Sequence, residues 1–266
     1  MKKWLLLLLP GILWVPEFLA TAAPAATPAE IRGLEIAREA DRRDSGWGDL
    51  QADMMMILRN RQGQTSTRYL RIRTLEVKGD GDKSLIVFDR PRDVKGTAFL
   101  SFTHATRPDD QWLYLPALKR VKRISSRNKS GPFMGSEFAY EDLSSQEVEK
   151  YHYRYLRDEP VAGHDCFVIE RTPAYRHSGY TRQLVWLDKR LYQPRRIDYY
   201  DRKRSLLKTL TFRGYHVYLD RYWRADEMDM ENHQSGKRTL LQWKHYRFRT
   251  GLSARDFDRN SLKRAH

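Results

Sequence analysis

In GHDCF, the residues His164, Asp165 and Cys166 stand side by side, a trio that in another setting could activate a thiol or hold a metal. Along a strand, however, neighbours point to opposite faces, so His164 and Cys166 share a face and Asp165 turns away. Two ligands do not make a zinc site, which takes four, or three and a water. The reading that follows is a buried structural cysteine beside a turn histidine. The acidic run ADEMDME, with Asp226, Glu227, Asp229 and Glu231, offers oxygen ligands but lacks the glycine and the spacing of a calcium loop. It reads as a strand with Asp229 and Glu231 outward and Met228 and Met230 inward. No nucleophile elbow, zinc-protease helix, phosphate loop or dinucleotide glycine pattern occurs. The expectation is a protein that is not an enzyme and has no cofactor and no metal.

The other chemistry on offer is apolar. RNKSGPFMGSEFAYEDL sets Phe133, Met134, Phe138 and Tyr140 among Gly131, Pro132 and Gly135, which should keep the stretch out of regular structure. Such a loop suits a lid over an apolar hollow, with Phe133, Met134 and Phe138 pointing in and the two glycines as hinges. Methionine adapts to irregular partners such as acyl chains. The alternative is a static loop that closes one end of the core. If it is a lid, replacing Phe133 and Phe138 by Ser should abolish fatty-acid retention with little change in melting temperature. Just before it, LKRVKRISSRNK carries Lys119, Arg120, Lys122, Arg123, Arg127 and Lys129 without an acid. Beside a lid, Lys119, Arg120, Lys122 and Arg123 would meet lipid headgroups at a transient membrane contact. They could equally keep an edge hairpin from aggregating.

The chain opens with Lys2 and Lys3, an apolar run from Trp4 to Pro16, and the small residues Ala20, Thr21 and Ala22. That is the pattern of a secretory signal peptide, residues 1–23, because the run is well short of the roughly 20 residues of a spanning helix. Residues 24–266 are then a single exported domain in the periplasm. With Cys166 as the only cysteine, it has no internal disulfide. The 49 Lys and Arg against 34 Asp and Glu give a formal charge of +15, so the protein should seek anionic surfaces. In the periplasm those are phospholipid and lipopolysaccharide, and no nucleic acid is expected.

The elements that must position these residues are nearly all strands. One helix is legible: Thr27 as N-cap, Pro28 at the first position, Glu30 completing a capping box, then Ile31, Leu34, Ala37 and Ala40 before Gly46. After it come ten or so strands at short spacing. LQADMMMIL places Leu50, Ala52, Met54, Met56 and Leu58 on one face, and YHYRYL does the same for Tyr151, Tyr153 and Tyr155. TAFLSF and QWLYLP are apolar at nearly every position, so both their faces should be covered. One helix cannot shield so wide a sheet. Either the sheet closes into a barrel, or a partly open sheet leaves an apolar hollow lined by Phe99, Phe102, Trp112 and Tyr114 together with the loop residues Phe133, Met134, Phe138 and Tyr140.

FDRPRDVKGTAFLSF, DDQWLYLPALKRVKRIS and GPFMGSEFAYEDL resemble the periplasmic LolA-like proteins, known as outer-membrane lipoprotein-sorting proteins, and in particular a branch often encoded beside RND-type exporters. The resemblance covers most of the exported chain and is most specific from Phe88 to Leu143. It implies a mainly β fold with few helices: an incomplete antiparallel β-barrel, LolA/LolB-like, wrapped around an N-terminal helix and a loop lid. The implied ligands are the acyl chains of a lipid or lipoprotein, handed toward an outer-membrane acceptor. The best-known carrier holds its lid with an arginine that aligns with no particular residue here. Two functions stay open: a periplasmic acyl-chain carrier, or a non-catalytic accessory module docked to an RND-type exporter or envelope complex.

Overall fold

The computed structural model describes residues 25–264, so the signal-peptide segment 1–23 lies outside the described residues. Helix α1 runs Pro28–Asp44, and its start is capped as expected: Thr27 Oγ1 accepts from Glu30 N, and the Glu30 carboxylate accepts from Thr27 N at 2.7 Å. Most of the expected inward row holds: Ala37 is buried, and Leu34 and Ala40 pack partly buried against the core. Ile31 is the exception at 49% exposed, and Gly33 and Ile36 are buried in addition. Gly33 decides the contact line, because a Cβ there would lie 2.7 Å from the backbone nitrogen of Tyr155.

Thirteen strands follow among the described residues: β1 Asp49–Arg59, β2 Thr65–Leu75, β3 Lys83–Arg90, β4 Ala98–Phe102, β5 Asp110–Leu115, β6 Arg120–Ile124, β7 Tyr151–Val161, β8 His164–Pro173, β9 Arg182–Asp188, β10 Pro194–Tyr200, β11 Leu206–Tyr218, β12 Tyr222–Asn232 and β13 Arg238–Phe248. They form one sheet in the order β6-β5-β4-β3-β2-β1-β13-β12-β11-β10-β9-β8-β7. Every neighbouring pair is antiparallel, and β1 joins β13 with Leu50 opposite Phe248. The sheet curls but does not close. Among the described residues its two free edges are β6 and β7, which are consecutive in the chain, so residues 125–150 must travel from one edge to the other.

Side-chain alternation sorts the sheet into two faces. The inner face gathers Met54, Met56, Leu70, Ile72, Phe88, Phe99, Leu113, Ile197, Leu210, Met230 and Leu241 into one core that also takes Ile36 and Ala37 from α1. On the outer face, Leu85, Val87, Ala98, Leu100, Trp112 and Tyr114 are covered by Phe257 and Leu262 of the C-terminal segment, which ends in the short helix α2, Ser261–Arg264. Both faces of β4 and β5 are therefore covered, as their continuous apolar pattern requires. Asp229 does face away from Met228 and Met230, yet it is buried rather than exposed. Arg238 and Arg213 roof it, with Arg238 Nε 2.6 Å from Oδ1 and Arg213 Nη1 3.3 Å from Oδ2.

Candidate functional site

The segment between the two sheet edges folds into the concavity as a plug. Met134 and Gly135 both adopt left-handed backbone angles, with φ of 49° and 77°, and turn the chain sharply. The turn is closed by Phe133 N donating to Phe138 O at 2.7 Å, and by the Ser136 hydroxyl donating to Phe133 O at 2.7 Å. A glycine suits position 135 because a side chain is strained there. Gly131 carries no such requirement among the backbone angles.

That turn drives two aromatic side chains into the inner core. Phe133 is fully buried, 5.9 Å from the ring of Phe88, 5.3 Å from Phe99 and 5.5 Å from Tyr140, and Phe138 is 2% exposed. Met134 and Tyr140 pack partly buried against the same cluster. The expectation that Phe133 and Phe138 could become Ser at little cost in stability is therefore corrected. A buried phenylalanine carries about 3–5 kcal/mol against truncation.

The eight apolar residues expected in one hollow divide between the two faces. Phe99, Phe133, Met134, Phe138 and Tyr140 meet on the inner face. Phe102, Trp112 and Tyr114 lie on the outer face, where Trp112 and Tyr114 are sealed beneath the C-terminal segment and Phe102 packs edge-on to Trp112 at 5.2 Å. The reason is parity: Phe102 is three residues from Phe99 in the same strand, and an odd step changes face.

Polar bonds hold the plug from both halves of the sheet. Arg68, on β2, donates Nη1 to Met134 O at 2.5 Å, and Gln111, on β5, donates to Tyr140 O at 3.2 Å. From the other half, Lys208 Nζ reaches Glu137 O at 2.8 Å and Asp142 Oδ2 at 2.6 Å, Asn232 donates to the Glu137 carboxylate at 2.6 Å, and Thr239 Oγ1 accepts from Glu137 N at 3.0 Å. Asp142 also accepts from Tyr180 OH at 2.8 Å and from Ala139 N at 2.6 Å. Glu141 is buried and accepts from Tyr175 OH, Ser178 Oγ and Gly179 N; burial, and then Asp142 beside it, raise its pKa. Lys208 and Asp142 were not singled out from sequence, although a signal was present. In LLKTLTF, Lys208 occupies the same inward row as Leu210, a cation where the pattern calls for a hydrophobe.

The plug's exit is fastened by buried charge. Lys150 Nζ lies 2.7 Å from Asp109 Oδ1, and Ser144 donates to the other oxygen of Asp109. Lys129, expected among the exposed cations, is instead buried with Nζ 3.6 Å over the Tyr175 ring, and burial lowers its pKa. Nearby, Asp82 N donates to Ser145 Oγ, and Ser145 donates to Glu147. Burial, and then the neighbouring Glu147, push Asp82 up to about 7. The folded state thus holds this proton more tightly than the unfolded chain does. Its stabilisation is complete below about pH 4 and is lost as pH rises through about 7. Asp82→Asn should flatten thermal stability over that window, recovering on the order of 2 kcal/mol at pH 8. Melting curves at pH 5 and pH 8 check this, and equal slopes for both proteins would contradict it.

Lys119, Arg120, Lys122 and Arg123 lie exposed on the free edge strand β6 and its turn. Arg123 is paired with Asp110 at 2.5 Å, and Leu118 at the hairpin tip is 63% exposed. Cys166 is wholly buried with Val168 and Trp186, and its thiol is pushed up to about 11, chiefly by burial, so it is an inert core residue.

Comparison with known proteins adds a lineage to this geometry. A family model described only as "uncharacterized protein" matches residues 80–264. A crystal structure from Vibrio parahaemolyticus, described as an outer membrane lipoprotein-sorting protein domain, is 62% identical over 88% of this chain and 99% of that one, with a TM-score of 0.87. A DUF1329 family protein from Desulfovibrio piger is 33% identical over 89% of this chain and all of that one, with a TM-score of 0.84. A LolA superfamily protein from Nitrosomonas europaea, 21% identical over 89% of this chain and 100% of its own, has the same fold with a TM-score of 0.69. Among curated protein sequences, none matches.

Proposed function

Because the chain belongs to the LolA-like family of outer-membrane lipoprotein-sorting proteins, we propose that it is a periplasmic carrier that takes acyl chains of a lipid or lipoprotein into its concavity and hands them toward an outer-membrane acceptor. No bond is made or broken in this function. Apolar side chains of the inner face hold the chain, and the plug is what the chain displaces.

The observation that supports this reading is the path of the plug. It spans the gap between the two unpaired sheet edges, and its Phe133 and Phe138 fill the space that the inner-face strands leave. Magnitudes favour an exchange. Burying about ten methylenes of an acyl chain supplies about 8 kcal/mol. Withdrawing two phenylalanines from the core costs about 3–6 kcal/mol in transfer free energy. The remainder is set against the polar bonds of Arg68 and Lys208 to the plug, so uptake and release become shifts of a closed and open equilibrium. The exposed tip with Leu118, Lys119, Arg120 and Lys122 is the part that would meet headgroups, each cation contributing about 1 kcal/mol near an anionic surface.

Native mass spectrometry of protein purified without detergent tests the carrier. Adducts of lipid mass, together with faster hydrogen exchange in residues 132–143 when a fatty acid is added, are expected. A clean apo mass and unchanged exchange in that segment would mean that the plug is permanent core.

A further inference from the structure

A cavity of about 390 Å3 lies away from the plug, lined by Arg42, Arg43, Arg190, Leu191, Asp220, Arg221 and Trp223. The antiparallel registers place it at the end of the sheet where β1 begins, while the Leu118 hairpin is at the end where β1 finishes. The two basic regions are thus separate.

Four arginines line it, with Asp220 as the one acid among the lining residues. Three of them have structural work at the last turn of α1. Arg42 and Arg43 pair with Glu39, Arg43 also lies 3.9 Å over the Tyr192 ring, and Arg221 donates to the carbonyls of Arg42 and Arg43 at 2.9 and 3.3 Å. Cations are favoured at a helix C-terminus, which accounts for that arrangement. It does not account for Arg190, which is exposed and whose guanidinium has no hydrogen-bond or ion-pair partner among the described residues. It does not account for the rim either. Val217, the cross-strand partner of Trp223, is 44% exposed, and Leu219 at the adjoining turn is 42% exposed.

We propose that this cavity receives the phosphate of an anionic phospholipid headgroup, with Val217 and Leu219 entering the acyl boundary beside it. Guanidinium forks match phosphate oxygens in geometry as well as charge. A soluble phosphate compound would use the arginines and leave the apolar rim without purpose; a bilayer uses both. This site would hold the protein at a membrane by the end opposite the Leu118 hairpin, and it does not depend on acyl chains entering the concavity.

Flotation with vesicles of phosphatidylglycerol mixed into phosphatidylcholine, and with phosphatidylcholine alone, tests it on the full-length exported protein. Arg190→Glu should reduce partitioning onto the anionic vesicles about thirtyfold, since reversing one charge changes the count at the surface by two units. Val217→Ser combined with Leu219→Ser should reduce it as well, with the melting temperature of each variant unchanged. Neutralising Lys119, Arg120, Lys122 and Arg123 together serves as the comparison at the far end and should leave the Arg190 effect in place. Wild-type partitioning by Arg190→Glu would overturn the proposal. So would loss of inorganic phosphate binding in that variant, measured by calorimetry, with vesicle binding intact, which would identify a soluble phosphate ligand. Failure to retain fatty acid would count against the carrier and leave this site untouched.

Discussion

Lys208→Met is expected to lower the melting temperature by about 6–20 °C, the equivalent of about 3–5 kcal/mol in a protein of this size. Lys208 and Asp142 form an ion pair at 2.6 Å whose side chains are 4% and 3% exposed. Removing the cation leaves a carboxylate buried, with Tyr180 OH and Ala139 N as its remaining donors among the described residues. It also strips the donor from Glu137 O and the cation that faces both Tyr180 and Tyr199, each ring centred 5.2 Å from Nζ. Differential scanning calorimetry measures the loss, and adding Asp142→Asn to Lys208→Met should recover part of it, because the charge that lacks a partner is then gone. A drop of less than about 1 kcal/mol would show that the pair does not hold the plug, since that is the scale of an exposed ion pair. The same variant bears on the proposed carrier. If the plug is displaceable, weakening its lock shifts the population toward the open form, so retention of a fluorescent fatty acid should rise while stability falls. A permanent plug would lose stability with no gain in retention.

Phe133→Ala should cost about 3–5 kcal/mol, because Phe133 has no exposed surface and its ring is enclosed by Phe88, Phe99 and Tyr140. The cavity so created opens on the inner face, where an acyl chain is proposed to bind. A fatty acid should therefore restore melting temperature to Phe133→Ala by more than it adds to the wild type, as a ligand that binds only the folded state must. Equal ligand shifts in the two proteins would separate this cavity from any lipid site. The equivalent change at Phe102, packed against Trp112 on the outer face, should create no such sensitivity.

How much of this was legible in advance depends on the range of the interaction. Thr27, Pro28 and Glu30 announce the helix start because capping is settled within one turn of chain. Leu50, Ala52, Met54 and Met56 announce a buried strand face because alternation is a property of one strand. The double coverage of β4 and β5 followed from the same rule. The split between Phe99 and Phe102 is also available from parity, because an odd step along a strand changes face, whereas residue type alone puts both in one hollow. The inward row of β11 likewise exposed Lys208 as an anomaly, but its partner Asp142 is 66 residues distant and no local rule connects them.

The amino-acid order alone determined a capped helix, a long meander of alternating strands, an aromatic irregular segment after a run of cations, and a likeness to one protein family. Tertiary structure decided that β1 pairs with β13, so that consecutive strands β6 and β7 end up as opposite free edges and the aromatic segment has to cross the concavity between them. It also decided that Trp112 and Tyr114 are sealed by Phe257 and Leu262, and that Arg42, Arg190 and Arg221 converge on one cavity. Turns, caps and alternation depend on neighbours in the chain. Which edge stays open, and which charges meet, depend on contacts whose partners are chosen only when the whole sheet has curled.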